Sequence, residues 1–528
     1  MKKELEKIIQ KAVKDLFGLE QVGFAVDYPK DEKFGDYATN AALVLAKKVG
    51  KGPLEIANQL KDQIENLKYA EFGKIEVVAP GYVNFYLSEK FLQDKVAEIQ
   101  SQGADFGKSE IGKGIKINNE FISANPTGPL HLGNGRGGFY GDALSRILRK
   151  AGFEVTNEFY INDAGEQVLK LGHSVLKDAE AVYGGEYIDE LHEKYSAIKD
   201  VREAGEKAAA DVLENFIKKT VVEKMKISFD VWMSEKKILE EKYVERAIGA
   251  LRDKDLIYGS EGAQWLRTTQ FGDDKDRVLI KNDGKNAYIA GDCGYLLNKI
   301  ERGFNRLIMG LGADHHGYVT RLKAAALALG FSGDFKIVVS QLVRVIKDGK
   351  EVRMSKRAGN VVLVDDLIDA VGHDVTRFFF LMYSPDTHMN FDLGLAEEKS
   401  QKNPVFYVQY AHARICSILH KAADGGNGQS ASGMDLSLLA HEKELILVRE
   451  LNKFPELVEE LAQSYEVHKL TYYAIKLADK FHSFYNECKV IDEENMALTK
   501  ARLSLITAVR IVLAETLDLI GVDAPEKM

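Results

Sequence analysis

From residue 109 to about 400, short apolar runs alternate with helix-patterned segments, and this alternation limits the fold more than any other feature of the chain. IKINNEFI reads as a strand, GDALSRILRKAG as a helix and FEVTNEFYI as a second strand. Further on come the strand NRLIMGLG, the helix YVTRLKAAALALG and the strand FKIVVSQLV. Strands separated by helices pair in parallel as a doubly wound sheet with helices on its faces. Between the two halves, residues 170–250 are charged and helix-patterned, as expected of an insertion. The fold class is α/β, a Rossmann-like parallel sheet with a helical insertion.

The flanks read differently. Residues 1–108 begin with the amphipathic helix MKKELEKIIQKAVKDLFGL and continue through GDYATNAALVLAKKVGKGPLEIANQL, with apolar residues at helical spacing. GKIEVVAPGYVNFYLS then alternates like paired strands around Pro80-Gly81, which makes this an α+β unit, closed by the polar stretch SQGADFGKSEIGKG as a linker. Residues 401–528 are helix-patterned throughout, interrupted by the loop GGNGQSASG, and predict an all-α helical bundle. The expected division is therefore 1–108, 109–400 with its insertion at about 170–250, and 401–528. At 528 residues the chain exceeds a single ordinary core, in keeping with several domains.

Composition removes several function classes. No apolar run reaches the length of a membrane span, and the N-terminal helix lacks the apolar core and cleavage site of a signal peptide, so the expectation is a cytoplasmic protein without membrane attachment. Cys293, Cys416 and Cys488 are far apart with no C-x-x-C, which argues against a disulfide framework and against structural zinc. A net charge of −9 argues against indiscriminate coating of nucleic acid, while leaving room for a local basic track facing one structured RNA.

Three stretches could cradle a phosphate. GADFGKS at 103–109 resembles a P-loop, but Gln102 stands where the first glycine belongs. ANPTGPLHLGNGRGG at 124–138 satisfies G-x-G-x-x-G through Gly133, Gly135 and Gly138, and Glu154 lies about 20 residues on, as a ribose ligand would. Against a dinucleotide site, Pro126 and Pro129 intervene where that motif needs a tight turn directly after the strand. The third is EVRMSKRAGN, about 220 residues downstream. A lysine in a small glycine-ended loop can close over developing phosphate charge and then release product. An NAD-linked oxidoreductase would leave this last motif unexplained.

P-T-G-x-L-H-L-G-N together with R-M-S-K-R resembles the paired signatures of the class I aminoacyl-tRNA synthetases. ANPTGPLHLGN, FYINDAGEQ, YIAGDCGY, GADHHGYVTRLKAAALALG, GDYATNAA, PGYVNFYLS and the C-terminal GVDAPEKM are similar to the arginyl-tRNA synthetases of bacterial type, over essentially the whole length. The resemblance implies two steps: arginine carboxylate attacks the α-phosphate of ATP, then a terminal tRNA ribose hydroxyl takes the arginyl group. Neither step needs a protein nucleophile, so alignment and charge stabilisation carry the catalysis.

By resemblance, His131, Gly133 and Asn134 meet ATP at a helix start, and Met354, Ser355 and Lys356 meet it from the second signature; His131, Asn134 and Lys356 are the catalytic candidates. Asn134 replaces the usual second histidine and Arg353 the usual first lysine, departures that an RNA-binding paralogue without activity would also show. Tyr288, Asp292 and Glu235 are implied for the guanidinium, Glu120, Ser123 and Asn125 for the α-amino and carboxylate end, and Asp314 as a further contact. Asp314-His315-His316 also invites a metal reading, but no third ligand spacing supports it, and no protein-bound metal is expected beyond Mg2+ accompanying ATP. The expected partners are L-arginine, ATP and an arginine-accepting tRNA, bound by a monomer. The resemblance further implies that arginine activation depends on bound tRNA. In the bundle, Tyr407, Tyr410, His412, Arg414, Tyr485, Lys489 and Arg502 offer aromatics beside cations for unstacked bases; Tyr485 and Met528 match anticodon-proximal positions of the family, whose N-terminal domain approaches the outer corner of the tRNA, and Tyr410 is a further tRNA-binding candidate.

Overall fold

The computed structural model describes residues 1–352, 362–424 and 434–528, with residues 314–316 described by their backbone alone. At its centre five strands pair in parallel: β1 (Lys116–Glu120), β2 (Glu154–Ile161), β3 (Val231–Ser234), β4 (Arg306–Gly312) and β5 (Asp334–Ser340). Their spatial order is β5-β4-β1-β2-β3. The chain runs outward from β1 through β2 to β3, then returns to add β4 on the other side of β1. That reversal opens a crevice at the carboxyl ends of β1 and β4, the usual ligand position in such sheets.

A central parallel strand is normally apolar on both faces. β1 instead buries Asn118, Asn119 and Glu120 in succession. Each is partnered: Asn118 donates to Glu158 at 3.1 Å, and Asn119 donates to Gly141 O at 2.9 Å and Ser145 Oγ at 2.7 Å. Hydrogen bonding offsets the cost of burying these polar groups in the middle of the sheet.

Helix α1 (Leu132–Lys150) follows β1 and begins nine residues before GDALSRILRKAG, so the glycine run lies inside the helix and not in a turn ahead of it. These glycines permit close packing. A Cβ on Gly141 would stand 2.2 Å from the Phe121 ring, and one on Gly135 2.5 Å from Val364 Cγ2. Arg136, buried in the same helix, donates to Gln341 O at 2.9 Å and Ser384 O at 2.7 Å and so ties α1 to the segment after β5.

The expected insertion begins with helices Glu166–Leu176, Glu186–Tyr195 and Val201–Val212. It is not helical to its end, however. Val231–Ser234, inside the stretch read as insertion, pairs with β2 as the edge strand of the main sheet. Beyond it lie a small antiparallel sheet of Ile257–Ser260, Ala263–Leu266 and Arg277–Ile280 and then helix α2 (Tyr288–Glu301). Among the described residues, Val343–Lys347 pairs with Lys350–Glu351 and Met389–Asp392 just ahead of the second signature.

The N-terminal unit carries the antiparallel sheet of Val26–Asp27, Tyr37–Thr39, Tyr82–Leu87 and Phe72–Val78, with helices Lys2–Phe17, Ala41–Val49 and Pro53–Asn66. Its last helix, Glu89–Gln102, is held to the C-terminal bundle: Gln93 donates to Leu439 O at 3.1 Å and Gln100 to Ser504 O at 2.8 Å. The bundle comprises Pro404–Ala422, Glu442–Asn452, Phe454–Ser464, His468–Glu487 and Met496–Ile520. The loop GGNGQSASG falls outside the described residues. Glu456 is a second tie between the two units, accepting from Lys2 N at 2.8 Å, from Tyr37 Oη at 3.1 Å and from Tyr28 Oη.

Candidate active site

Where β1 ends, the backbone turns sharply. Ile122 and Ser123 adopt φ of 70° and 40°, consecutive left-handed positions at residues with side chains. Each such position costs about 1–3 kcal/mol and persists only where its surroundings enforce it. Here the enforcement is visible: Ser123 Oγ donates to Glu120 Oε1 at 2.9 Å and accepts from Tyr160 N at 3.2 Å. The turn thus brings Ser123 back over Glu120 at the carboxyl edge of the sheet. Asn125 follows, with its side chain 3.1 Å from Asn162, whose amide also faces Glu235. From the insertion, Tyr187 Oη donates to Thr127 O at 3.1 Å and braces this loop.

His131 is the N-cap of α1. Its Nδ1 accepts from Gly133 N at 3.1 Å, and Asn134 Oδ1 reaches back to accept from His131 N at 3.1 Å, a reciprocal capping box. An imidazole that accepts at Nδ1 carries its proton at Nε2, and surrounding protein lowers its pKa, so His131 is a neutral donor. The same turn meets the far side of the second signature. Leu132 N donates to Val362 O at 3.3 Å, Val364 N donates to Leu130 O at 3.0 Å, and His131 bridges Leu363. The segment that follows the second signature, residues 362–364, is therefore joined to the turn of the first. Arg353, Met354, Ser355 and Lys356 themselves lie outside the described residues.

Beside this turn lies an acidic pocket. Tyr160 is held well above its ordinary pKa by burial first, and then by Glu235, Glu120, Asp292 and Asp163. Four carboxylates from four segments therefore act on one phenol. Burial pushes Asp292 up to about 7; Arg321 opposes the shift, and Glu235 and Glu120 add to it. Asp292 Oδ2 is buried with no hydrogen-bond partner among the described residues. Glu235, the first residue of helix Glu235–Glu240, is also pushed to about 7, by burial and then by Asp163, with a Tyr160 hydrogen bond opposing. Asp163 caps that helix, accepting from Ser234 Oγ at 2.6 Å and Lys236 N at 3.0 Å. Tyr288, one turn before Asp292 on α2, stands 80% exposed at the lip. The side chain of Asp314 lies outside the described residues.

Four participants escaped sequence reading. Tyr160, Asp163, Lys299 and Glu158 touch or support the pocket, yet each reads in sequence as an ordinary strand, loop or helix residue. Only the spacing of Asp292, Tyr295 and Lys299 on α2, three and then four apart, hinted at a shared face.

In the bundle, Arg414 donates to Tyr410 Oη at 2.6 Å and lies 4.2 Å over the Tyr485 ring, so the two tyrosines chosen from sequence do converge. Beside Tyr485 a cavity of about 460 Å³ is lined by Ile418, Lys421, Asn486 and Lys489. Met528 is 58% exposed. His412 and Arg502 are structural instead. His412 is buried with Nδ1 2.8 Å from Pro525 O, and Arg502 pairs with buried Glu444 at 2.7 Å.

Three family models match the chain: the arginyl-tRNA synthetase N-terminal domain over residues 3–87, the class I (R) tRNA synthetase catalytic domain over 174–378, and the DALR anticodon-binding domain over 408–528. The chain is 42% identical to the arginine–tRNA ligase of Listeria monocytogenes over 98% of each chain. It is 43% identical to that of Bacillus pumilus over 95% of this chain and 94% of the other. The structure of Thermus thermophilus arginyl-tRNA synthetase superposes with a TM-score of 0.78 at 22% identity, covering 100% of both chains.

Proposed function

The chain belongs to the arginine–tRNA ligases, and from that premise we propose which of its groups hold each reactant. The enzyme activates L-arginine with ATP, expelling pyrophosphate, and transfers the arginyl group to the terminal ribose of its tRNA. In our reading the ATP phosphates lie over the N-terminus of α1, where His131 donates from Nε2 and the helix dipole favours anions. Gly133 lets the nucleotide approach the backbone. Asn134, whose oxygen serves the cap, keeps its NH2 as a donor. Lys356, with Met354 and Ser355, meets the phosphates from the second signature. Mg2+ enters with the triphosphate and is held by the phosphates and water.

Arginine lies across the carboxyl ends of β1 to β3. Asp292 and Glu235 receive the guanidinium, Tyr288 covers it at the lip, and Glu120, Ser123 and Asn125 hold the amino-acid end, with Asp314 as a further contact. A guanidinium offers donors in a planar fork, whereas lysine offers one compact ammonium and leaves a buried acceptor unpaired. The tRNA anticodon meets Tyr410, Tyr485 and Met528 of the 401–528 unit, and the 1–108 unit meets the body of the tRNA. The 109–400 unit carries the chemistry. We assign the enzyme as a cytoplasmic monomer without membrane attachment; among the described residues no helix is long and apolar enough to cross a bilayer.

The observation that carries this reading is that Glu120 and Ser123, at the carboxyl end of β1, link the carboxylates acting on Tyr160 to the chain leading into the His131 N-cap. Charging of total bacterial tRNA with each labelled amino acid tests it. Arginine alone is charged; Lys356→Ala lowers kcat, and Asp292→Asn chiefly raises the KM for arginine. An unchanged arginine KM in Asp292→Asn would sink the pocket assignment. Arginine-dependent pyrophosphate exchange is expected only with tRNA present, and exchange without RNA would refute that coupling.

A further inference from the structure

Behind the pocket is a buried ion cluster in which, of the residues given a role so far, only Glu120 takes part. Tyr288, Asp292, Tyr295 and Lys299 recur every four or three residues along α2, and Arg302 continues the series just past its end. Lys299 is 1% exposed, and its ammonium meets Asn118 Oδ1, Glu120 Oε2 at 2.8 Å and Glu158 Oε1 at 3.3 Å. Arg302 reaches the other oxygen of Glu158 at 2.5 Å, and Tyr295 Oη donates to Glu158 Oε1 at 2.5 Å. Two cations face two carboxylates, so the cluster is balanced without any substrate. Such clusters are weak sources of stability compared with apolar packing. This one immobilises Glu120.

Glu120 uses one oxygen for Lys299 and the other for Ser123 Oγ, which in turn accepts the Tyr160 amide. A carboxylate has about four acceptor positions, so Glu120 retains capacity for an ammonium donor. The left-handed turn at Ile122 and Ser123 depends on the same hydrogen bond. Asp292 and Lys299 stand seven residues apart, about 10 Å along one rigid helix. Both ends of the pocket are thereby referred to a single element.

We infer that Lys299 is a positioning residue for the substrate amine: through Glu120 and Ser123 it fixes where the α-ammonium is received and how far that point lies from the guanidinium carboxylates. The inference rests on the pocket assignment above, and two arginine analogues separate the two. Agmatine keeps the guanidinium and the amine but lacks the carboxylate. 5-Guanidinopentanoate keeps the guanidinium and the carboxylate but lacks the amine. Both are measured as competitors of arginine in the charging reaction.

In Lys299→Met, the arginine KM and the agmatine inhibition constant rise about tenfold or more, the loss of a hydrogen bond to a charged group. The constant for 5-guanidinopentanoate stays within about twofold, a difference too small for a lost contact. If thermal melting shows that Lys299→Met does not fold, Lys299→Arg carries the test. It keeps the charge but cannot seat a compact ammonium among three acceptors, and gives the same split at reduced size. Equal losses for all three ligands, or no loss for any, overturn the inference. Failure of the unsubstituted enzyme to bind either analogue overturns the pocket assignment and this inference with it.

Discussion

Asp292 and Glu235 both titrate near 7, chiefly because burial disfavours their charged forms. A guanidinium brought against them reverses that preference, so arginine binding releases protons and the KM for arginine falls as pH rises from about 6 to 8. Asp292→Asn is expected to flatten that profile. The effect on stability has the opposite sense. A carboxyl whose folded pKa is raised favours folding at low pH; this contribution is complete below 3.8 and is lost progressively as pH rises from there through about 7. Asp292→Asn should therefore raise the melting temperature most at pH 8, less at pH 5 and hardly at all at pH 3, which parallel melts will check. His131 combines two roles that substitution can part. His131→Asn keeps a capping acceptor, and its stability stays within about 0.5 kcal/mol; His131→Ala loses about 1 kcal/mol, readable by denaturant unfolding. Both lose the Nε2 donor, so both slow adenylate formation. His131 and Asp292 could be proposed from sequence because they sit in short motifs. Lys299 was not: a lysine at helical spacing has the same sequence signature whether it faces water or a buried carboxylate, and only the sheet beneath α2 decides which.

Helix α1 shows how an element can disguise its purpose. Its glycines imitate a dinucleotide fingerprint, yet Gly135 and Gly141 are there because Val364 and Phe121 leave no room for a methyl group. Gly137, with nothing within 4 Å of its absent Cβ, is different. Gly137→Ala should stabilise the enzyme by up to about 1 kcal/mol through helix propensity alone. Gly135→Ala should cost about 1–3 kcal/mol by overpacking, and by pushing Val364 away from the His131 turn it should lower kcat more than it raises either KM. Chemical denaturation and steady-state charging of the two variants check both statements. The main strands were readable from their length and apolar character. β3 was not, since four residues are too few to establish a period and its identity as a strand comes from pairing with β2.

At the scale of the whole molecule, the N-terminal unit and the bundle are locked together by Glu456, Gln93 and Gln100 rather than merely tethered by a linker. Arg449 adds an ion pair to Asp36 at 3.1 Å. Glu456→Ala removes the acceptor for the hydroxyls of Tyr28 and Tyr37 and should cost about 1–3 kcal/mol. Hydrogen exchange should then accelerate in Lys2–Phe17 and Phe454–Ser464 together, with the KM for tRNA rising more than that for arginine. None of these ties was visible in sequence, because each joins residues hundreds of positions apart that carry no local signal. The sheet order has one more consequence. On the proposed assignment, the end common to every amino acid rests on β1, which has neighbours on both sides, while the distinguishing side chain is received after β3, at the margin, and on α2, outside the sheet. A descendant of such a protein could exchange its cargo by rewriting the margin alone and inherit the centre unaltered.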